Sequence, residues 1–159
     1  MDSLDIEIIK NLQENARKSL RDIGEKLDTP HTTIHSRLKK LESRGLIKDY
    51  AAIVNPQKMG LKVGYIILNT PPQESNRITS MIAEHPETMH VMRASDGKII
   101  VKIIVEDKPD NKGITDYVDK LCDQSKNLCD ESMQVYTVSE IVKYEHAIDE
   151  MILDKKKKR

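Results

Sequence analysis

Between Thr29 and Ile47 the chain reads TPHTTIHSRLKKLESRGLI. Thr32, Ser36 and Ser43 are short side chains that both donate and accept hydrogen bonds. His35 adds a ring nitrogen of either role, and Arg37, Lys39, Lys40 and Arg44 bring positive charge against the single Glu42. On a helix stepping 100° per residue, Leu38 and Leu41 fall within about 40° of Ile34, while Thr32, Ser36, Lys39 and Ser43 fall on the opposite side. His35 and Lys40 flank that polar side, and Arg37 and Arg44 lie nearer the apolar edge. One face is a core seam. The other is a set of hydroxyls and cations suited to a major groove: Thr, Ser and His for base edges or thymine methyls, Lys and Arg for phosphates. An ordinary solvated helix face, rich in Lys, has the same composition, so the neighbouring elements must decide.

Those neighbours are helical. Leu4, Ile8 and Leu12, with Ile9 between them, recur at helical spacing and predict a helix ending near Asn15. Ser19 with Asp22 has the form of a capping pair, and Leu20, Ile23 and Leu27 continue as a short second helix. Thr29-Pro30 then offers an N-cap and a first-turn proline for a third helix that runs to about Arg44 and stops at Gly45. Three helices, the last two joined by a very short turn, make a helix-turn-helix.

After this the period changes. Residues 50–56, YAAIVNP, read as extended, and KVGYIILNT (62–70) is a β-rich run closed by Pro71-Pro72. Residues 73–85 return to a helical pattern through Ile78 and Ile82. TMHVMRAS and KIIVKIIVE are strand-like runs around Asp96-Gly97, a hairpin signal. A helix over about 111–125 carries Ile114, Val118 and Leu121, and residues 132–144 alternate as a last strand. The order is βαββαβ, in which helices cover one face of an antiparallel sheet. The fold class is therefore α+β, divided into a helix-turn-helix domain over 1–49, a linker with an extended strand over 50–61, a βαββαβ domain over 62–144 and a basic tail over 145–159.

Composition narrows the function classes. Lys+Arg and Asp+Glu are equal at 26 each, so no strong overall field points to nucleic acid or membrane. Residues 1–60 nevertheless carry 11 Lys+Arg against 9 Asp+Glu, and 61–144 carry 10 against 13. The local balance favours an anionic partner at the front. No apolar run approaches a membrane span and MDSLDIEIIK is no signal peptide, so a soluble cytoplasmic protein without membrane contact is expected. Phe and Trp are absent, which argues against the stacking platforms of single-strand binders. Cys122 and Cys129 have no second pair and read as small buried residues of an intracellular protein, with a redox or metal role as the alternative. No Gly-rich phosphate loop or nucleophile elbow occurs, so no cofactor and no catalytic residue is assigned.

The run LDIEIIKNLQENARKSLRDIGEKL, followed by PHTTIHSRLKKLESRGLIKDYAAIVNP, resembles the Lrp/AsnC (feast/famine) family of transcription regulators over residues 1–143. The resemblance implies a winged-helix-like DNA-binding domain and a ferredoxin-like (RAM/ACT-like) domain that binds effectors and builds homodimers, often assembled into octamers. It implies paired recognition helices on double-stranded, palindromic DNA, with the linker at 50–55 joining the dimer contact. Half-sites are then expected about one helical turn, roughly 34 Å, or a multiple of it apart. The candidate DNA-binding residues are Lys18, Ser19, His31, Thr32, Thr33, His35, Ser36, Arg37, Lys39 and Lys40. Thr32, Thr33, His35 and Ser36 are assigned to bases, and Arg37, Lys39, Lys40 and Lys18 to phosphates.

Two departures stand out. Asp28 occupies the turn where relatives often have Gly, and Asp tolerates a left-handed backbone better than most residues. The family's G-D-x-D-Y-like turn is here Ser95, Asp96, Gly97, Lys98 and Ile99, with a cation in place of an acid and no aromatic. A small-molecule effector at Ser95, Asp96, Gly97 and Lys98 is therefore expected not to be a standard neutral amino acid in the usual pose, because Lys98 would repel its ammonium group. A plain β-hairpin is the alternative. His31 and His35 sit at i, i+4 but have no intervening Glu and no evident third ligand, so no metal is assigned. The terminal KKKKR reads as a solvated tail or a non-specific phosphate contact. Two other functions share the pattern. One is a sirohaem-decarboxylase-like enzyme, for which His90 with Arg93 is the sole pair on offer; the other is a non-specific architectural DNA binder.

Overall fold

In the computed structural model the described residues are 1–125, 128, 133–143, 148 and 152. They form two compact units, one built on Met1–Ala52 and the other on Ile53–Val142.

The first unit is helical: α1 (Ser3–Glu14), α2 (Leu20–Lys26) and α3 (His31–Ser43). Capping boxes start the first two helices. Asp2 and Asp5 exchange side-chain bonds with each other's backbone N–H, and Ser19 and Asp22 do the same. The third helix starts differently from the sequence expectation. Its N-cap is Pro30, which offers no side-chain bond, and Thr29 is used in the turn instead. The Thr29 hydroxyl donates to the Leu27 carbonyl at 3.0 Å and its N–H donates to the Gly24 carbonyl at 2.9 Å. At the far end Gly45 takes φ +66°, and the N–H groups of Gly45 and Leu46 return to the carbonyls of Glu42 and Leu41. That pair of bonds is a Schellman stop. Ile8, Ile23, Ile34 and Leu41 are buried together, with Leu4, Leu12, Leu20, Leu27 and Leu38 packed around them.

The turn between α2 and α3 is tight for two reasons. Asp28 adopts φ +47°, the left-handed conformation its side chain tolerates. Gly24, itself buried, has no Cβ; one placed there would lie 2.6 Å from the Thr29 carbonyl oxygen. A second tie holds α3 to α1: the Arg37 guanidinium bonds the Asp2 carboxylate and, at 3.2 Å, the nearly buried Asp5 carboxylate.

The second unit runs β1 (Leu61–Leu68), α4 (Ser75–Ala83), β2 (Thr88–Arg93), β3 (Ile99–Glu106), α5 (Lys112–Gln124) and β4 (Met133–Thr137). The sheet order is β2-β3-β1-β4 and every neighbouring pair is antiparallel. Register aligns Ile66 with Val101 and Val135, and Leu68 with Ile99 and Met133, on the face covered by Ile78, Ile82, Ile114, Tyr117 and Leu121. Alternation then turns Tyr65, Ile67, Ile100, Lys102 and Ile104 to the other face, in line with Met92, His90 and Tyr136 from the outer strands. Met92 and Tyr136 are exposed there.

Three expectations are corrected. Residues 50–56 pair with no strand among the described residues; the chain is irregular there, and Pro56, which has no N–H to give a ladder, opens a 3₁₀ turn at Gln57–Met59. The last strand stops at Thr137 rather than near 144, although Val138 N–H still reaches the Val63 carbonyl. Cys122 is disulfide-bonded rather than a free core thiol, and Cys129 lies outside the described residues. The KKKKR tail also lies outside them. No described helix is long and apolar enough to cross a membrane.

Replacing Gly24 with Ala is expected to destabilise the helical unit by about 1–3 kcal/mol, because backbone rather than a movable side chain blocks the new Cβ; urea unfolding followed by circular dichroism measures it. Bonds from the Asp5 N–H and from Arg37 hold the Asp2 carboxyl below its ordinary value. A carboxylate with a depressed folded pKa contributes stability above its unfolded pKa and loses it as pH falls through the folded one. The parent should therefore lose more melting temperature than Arg37→Gln when pH is lowered from 6 toward 2, roughly across the carboxylate range. Parallel melting curves at each pH would remove this role from the ion pair.

Candidate nucleic-acid interface

The seam of α3 settles which of its residues reach solvent. Ile34 and Leu41 are buried, so His31, Thr32, His35, Ser36, Lys39 and Lys40 are exposed, and Thr33 is half-buried at the edge. Thr32, Ser36 and Lys39 line up along the outward face over two turns, with His35 beside them, a width that matches side chains entering a major groove. Ser43, at the end of the same row, spends its hydroxyl on the Lys40 carbonyl at 3.1 Å. Lys39 and Lys40 have no carboxylate partner among the described residues, so both ammonium groups remain available to phosphate.

Other candidates are engaged elsewhere. Arg37, assigned from its sequence to phosphate, is held by Asp2 and Asp5 on the α1 side. Lys18 bonds the Glu14 carboxylate at 3.1 Å and the Asn11 side-chain oxygen at 2.9 Å, and it is largely covered. Both cations hold the helical unit together. Ser19 caps α2, its oxygen accepting from the Asp22 N–H at 3.1 Å; it stays exposed at the start of that helix, where a phosphate would meet free N–H groups. His31 opens α3 beside a shallow cleft of about 380 Å³ that also takes in Arg21, Asp28 and Thr29. Tyr50 carries no sequence pattern that marks it, yet it acts on this face. Its hydroxyl donates to Glu42 at 2.9 Å, and burial together with that carboxylate pushes its pKa up to about 12. The bond neutralises no charge, and it ties the one acid of α3 to the segment that follows the helix.

In the second unit, Ser95, Asp96, Gly97 and Lys98 form the β2–β3 hairpin, with Gly97 at φ +88° and the Lys98 N–H on Asp96 at 3.2 Å. The Lys98 ammonium lies 2.8 Å from the Asp96 carboxylate and holds it below the usual carboxylate range. The turn thus supplies no unpaired acid. His90 and Arg93 do not converge. His90 stands opposite Lys102 on the open face of the sheet, whereas Arg93 points to the helical face and donates to Thr79 at 2.7 Å. Three residues along a strand reverse the side, so the pair cannot grip one tetrapyrrole between them.

A model of the AsnC-type helix-turn-helix domain matches residues 1–42. The chain is 28% identical over 120 residues to the HTH-type transcriptional regulator FL11 of Pyrococcus furiosus, a span of 74% of this chain and 80% of the relative. The crystal structure of PH0061 superposes with a TM-score of 0.81 at 25% identity, covering 92% of this chain and 98% of that one. The transcriptional regulatory protein PF0864 of Pyrococcus furiosus, a member of the AsnC family, gives a TM-score of 0.64 at 26% identity over 90% and 92% of the two chains. FL11 and PF0864 are both transcriptional regulators, and the helix-turn-helix match over residues 1–42 includes the helix that carries Thr32, Ser36 and Lys39. Residues 1–42 thus carry an AsnC-type helix-turn-helix domain, and over most of its length the chain is similar to DNA-binding transcriptional regulators that include a member of the AsnC family.

Proposed function

We propose that this regulator binds palindromic double-stranded DNA as a homodimer in the cytoplasm, with one α3 helix in each of two successive major grooves. The observation that carries the reading is the outward row of α3, where Thr32, Ser36 and Lys39 lie opposite the buried Ile34 and Leu41. In this reading Thr32, Thr33, His35 and Ser36 read base edges. Lys39 and Lys40 hold phosphates, with Ser19 and His31 at the helix starts. Arg37 and Lys18 act on the helical unit itself and do not touch the DNA.

The dimer is built by the open face of the sheet. Ile67, Ile100 and Ile104 there are half-buried beside exposed Met92 and Tyr136, an apolar surface that a second copy covers isologously. The linker, with Ile53 and Val54 exposed, adds to that surface. Assembly beyond the dimer, to the octamer implied by the resemblance, follows from the same domain.

Replacing Ser36 and Lys39 together with Ala should weaken binding to the selected operator by about 1–3 kcal/mol for the base edge that Ser36 no longer reads, and the lost Lys39 phosphate contact should lower non-specific binding and its salt dependence as well. The operator comes from sequencing duplexes retained from a random pool at physiological salt. A double variant that footprints this operator as the parent does would put the reading face elsewhere. The Asp96–Lys98 pair leaves the hairpin without an open carboxylate for an ammonium group, so leucine is expected to give no saturable heat at this turn in calorimetry. Micromolar binding that Asp96→Ala abolishes would reverse that assignment.

A further inference from the structure

At the end of the sheet where β1 begins and β3 and β4 finish, a cleft of about 520 Å³ opens between Lys62, Asp107, Asn111, Thr137 and Ser139, with Leu61 and Val138 as its apolar walls. It lies one strand length, roughly 25 Å, from the β2–β3 hairpin. Its polar side is organised. The Lys62 ammonium donates to Asp107 Oδ1 at 2.9 Å and to Asn111 Oδ1 at 3.1 Å, so one cation orients two planar groups. Asn111 stands at the N-cap of α5, but its side chain makes no capping bond to the helix. Asn111 and its predecessor Asp110 both take left-handed backbone angles, φ +57° and +53°, which set the chain at the cleft's rim.

The unspent valences define the ligand. Among the described residues, Asp107 Oδ2 accepts nothing, the Asn111 amide hydrogens have no acceptor, and the Thr137 and Ser139 hydroxyls make no hydrogen bond. The cleft's cation, Lys62, is already matched by a carboxylate, so an anion entering here meets Asp107 and a simple cation meets Lys62. Neighbouring hydroxyl groups fit both, because each donates and accepts: one donates to Asp107 while its neighbour accepts from Asn111 or Lys62. We propose that this cleft binds the cis-diol of an uncharged pentose, with Asp107 and Asn111 across the two hydroxyls and Leu61 and Val138 against the less polar remainder. The volume holds either a free sugar or a nucleoside. The site is independent of the DNA-binding reading and of the hairpin.

The test titrates the full-length protein with adenosine, D-ribose, 2′-deoxyadenosine and inorganic phosphate, each up to roughly 10 mM, by calorimetry and by ¹H–¹⁵N spectra. Adenosine should bind saturably and shift amides of residues 57–62, 107–111 and 137–139, with 2′-deoxyadenosine at least about tenfold weaker, because it leaves the carboxylate without its donor. Ribose binding as well as adenosine identifies a free pentose as the source; adenosine alone identifies a nucleoside. Asp107→Ala should abolish binding, and Thr137→Val, which leaves the Lys62 network intact, should weaken it should the first variant fail to fold. Equal affinity for the deoxy compound, competition by phosphate, shifts located elsewhere, or no binding by any of the four probes overturns the proposal.

Discussion

The burial of Ile34 and Leu41 against Ile8 and Ile23 is the constraint on which the rest of the helical unit depends. A helix has one way to hide a seam of that width, and hiding it leaves the opposite side in water. The rotational setting of α3 follows, and with it the identity of the residues that are left in solvent. Gly24 and Asp28 then fix how closely α3 follows α2, because a side chain at the first and a right-handed backbone at the second would both push the turn open. The outward polar row of α3 is what remains once the apolar side has been satisfied.

Electrostatics divides the cations of this unit into two groups. Arg37 sits about 60° from the buried seam, close enough to α1 for Asp2 and Asp5 to reach it. Lys18 finds Glu14 and Asn11 before it can find anything outside. Among the described residues Lys39 and Lys40 pair with no carboxylate, and Glu42 is bonded by Tyr50. A protein with zero net charge can therefore still offer a polyanion a local positive row, since the acids are consumed as internal partners and screening shortens the reach of those that are not.

Local patterns were legible in the sequence wherever one short-range rule decides. The Ser19–Asp22 capping box, the Gly45 stop and the Asp96-Gly97 hairpin each depend on residues within one turn, and each occurs where the pattern puts it. The outward face of α3 was legible too, because helical period alone sorts Ile34 from Ser36. Partners distant in sequence were not. Nothing near Arg37 announces Asp2, and nothing near Glu42 announces that Tyr50 will fold back onto it. The Thr29-Pro30 pair is ambiguous for a related reason: either residue satisfies the rule for a helix start, and the bond from Thr29 to Gly24, across the turn, decides between them. The cleft at Lys62, Asp107 and Asn111 joins three segments far apart in the chain, so no motif carries it. Strand propensity at 50–56 likewise says nothing of whether a neighbour exists to pair with it.

The sheet poses its own demand. An order of β2-β3-β1-β4 with both helices on one side buries Ile66, Val101 and Ile103 completely and leaves the reverse side to its own resources. A polar reverse side would be self-sufficient in water. Here β1 and β3 instead turn Ile67, Ile100 and Ile104 outward, with Lys102 and His90 standing among them. Burying an isoleucine from full exposure is worth about 1.5–3 kcal/mol, so covering the rest of a half-buried one adds about half of that, while association costs about 4–15 kcal/mol in lost freedom. One isoleucine is too little to hold a partner. An isologous interface counts every residue twice, so the same few positions on two copies reach the range that the cost demands. The proposed dimer therefore needs no long interface, only that the face be repeated.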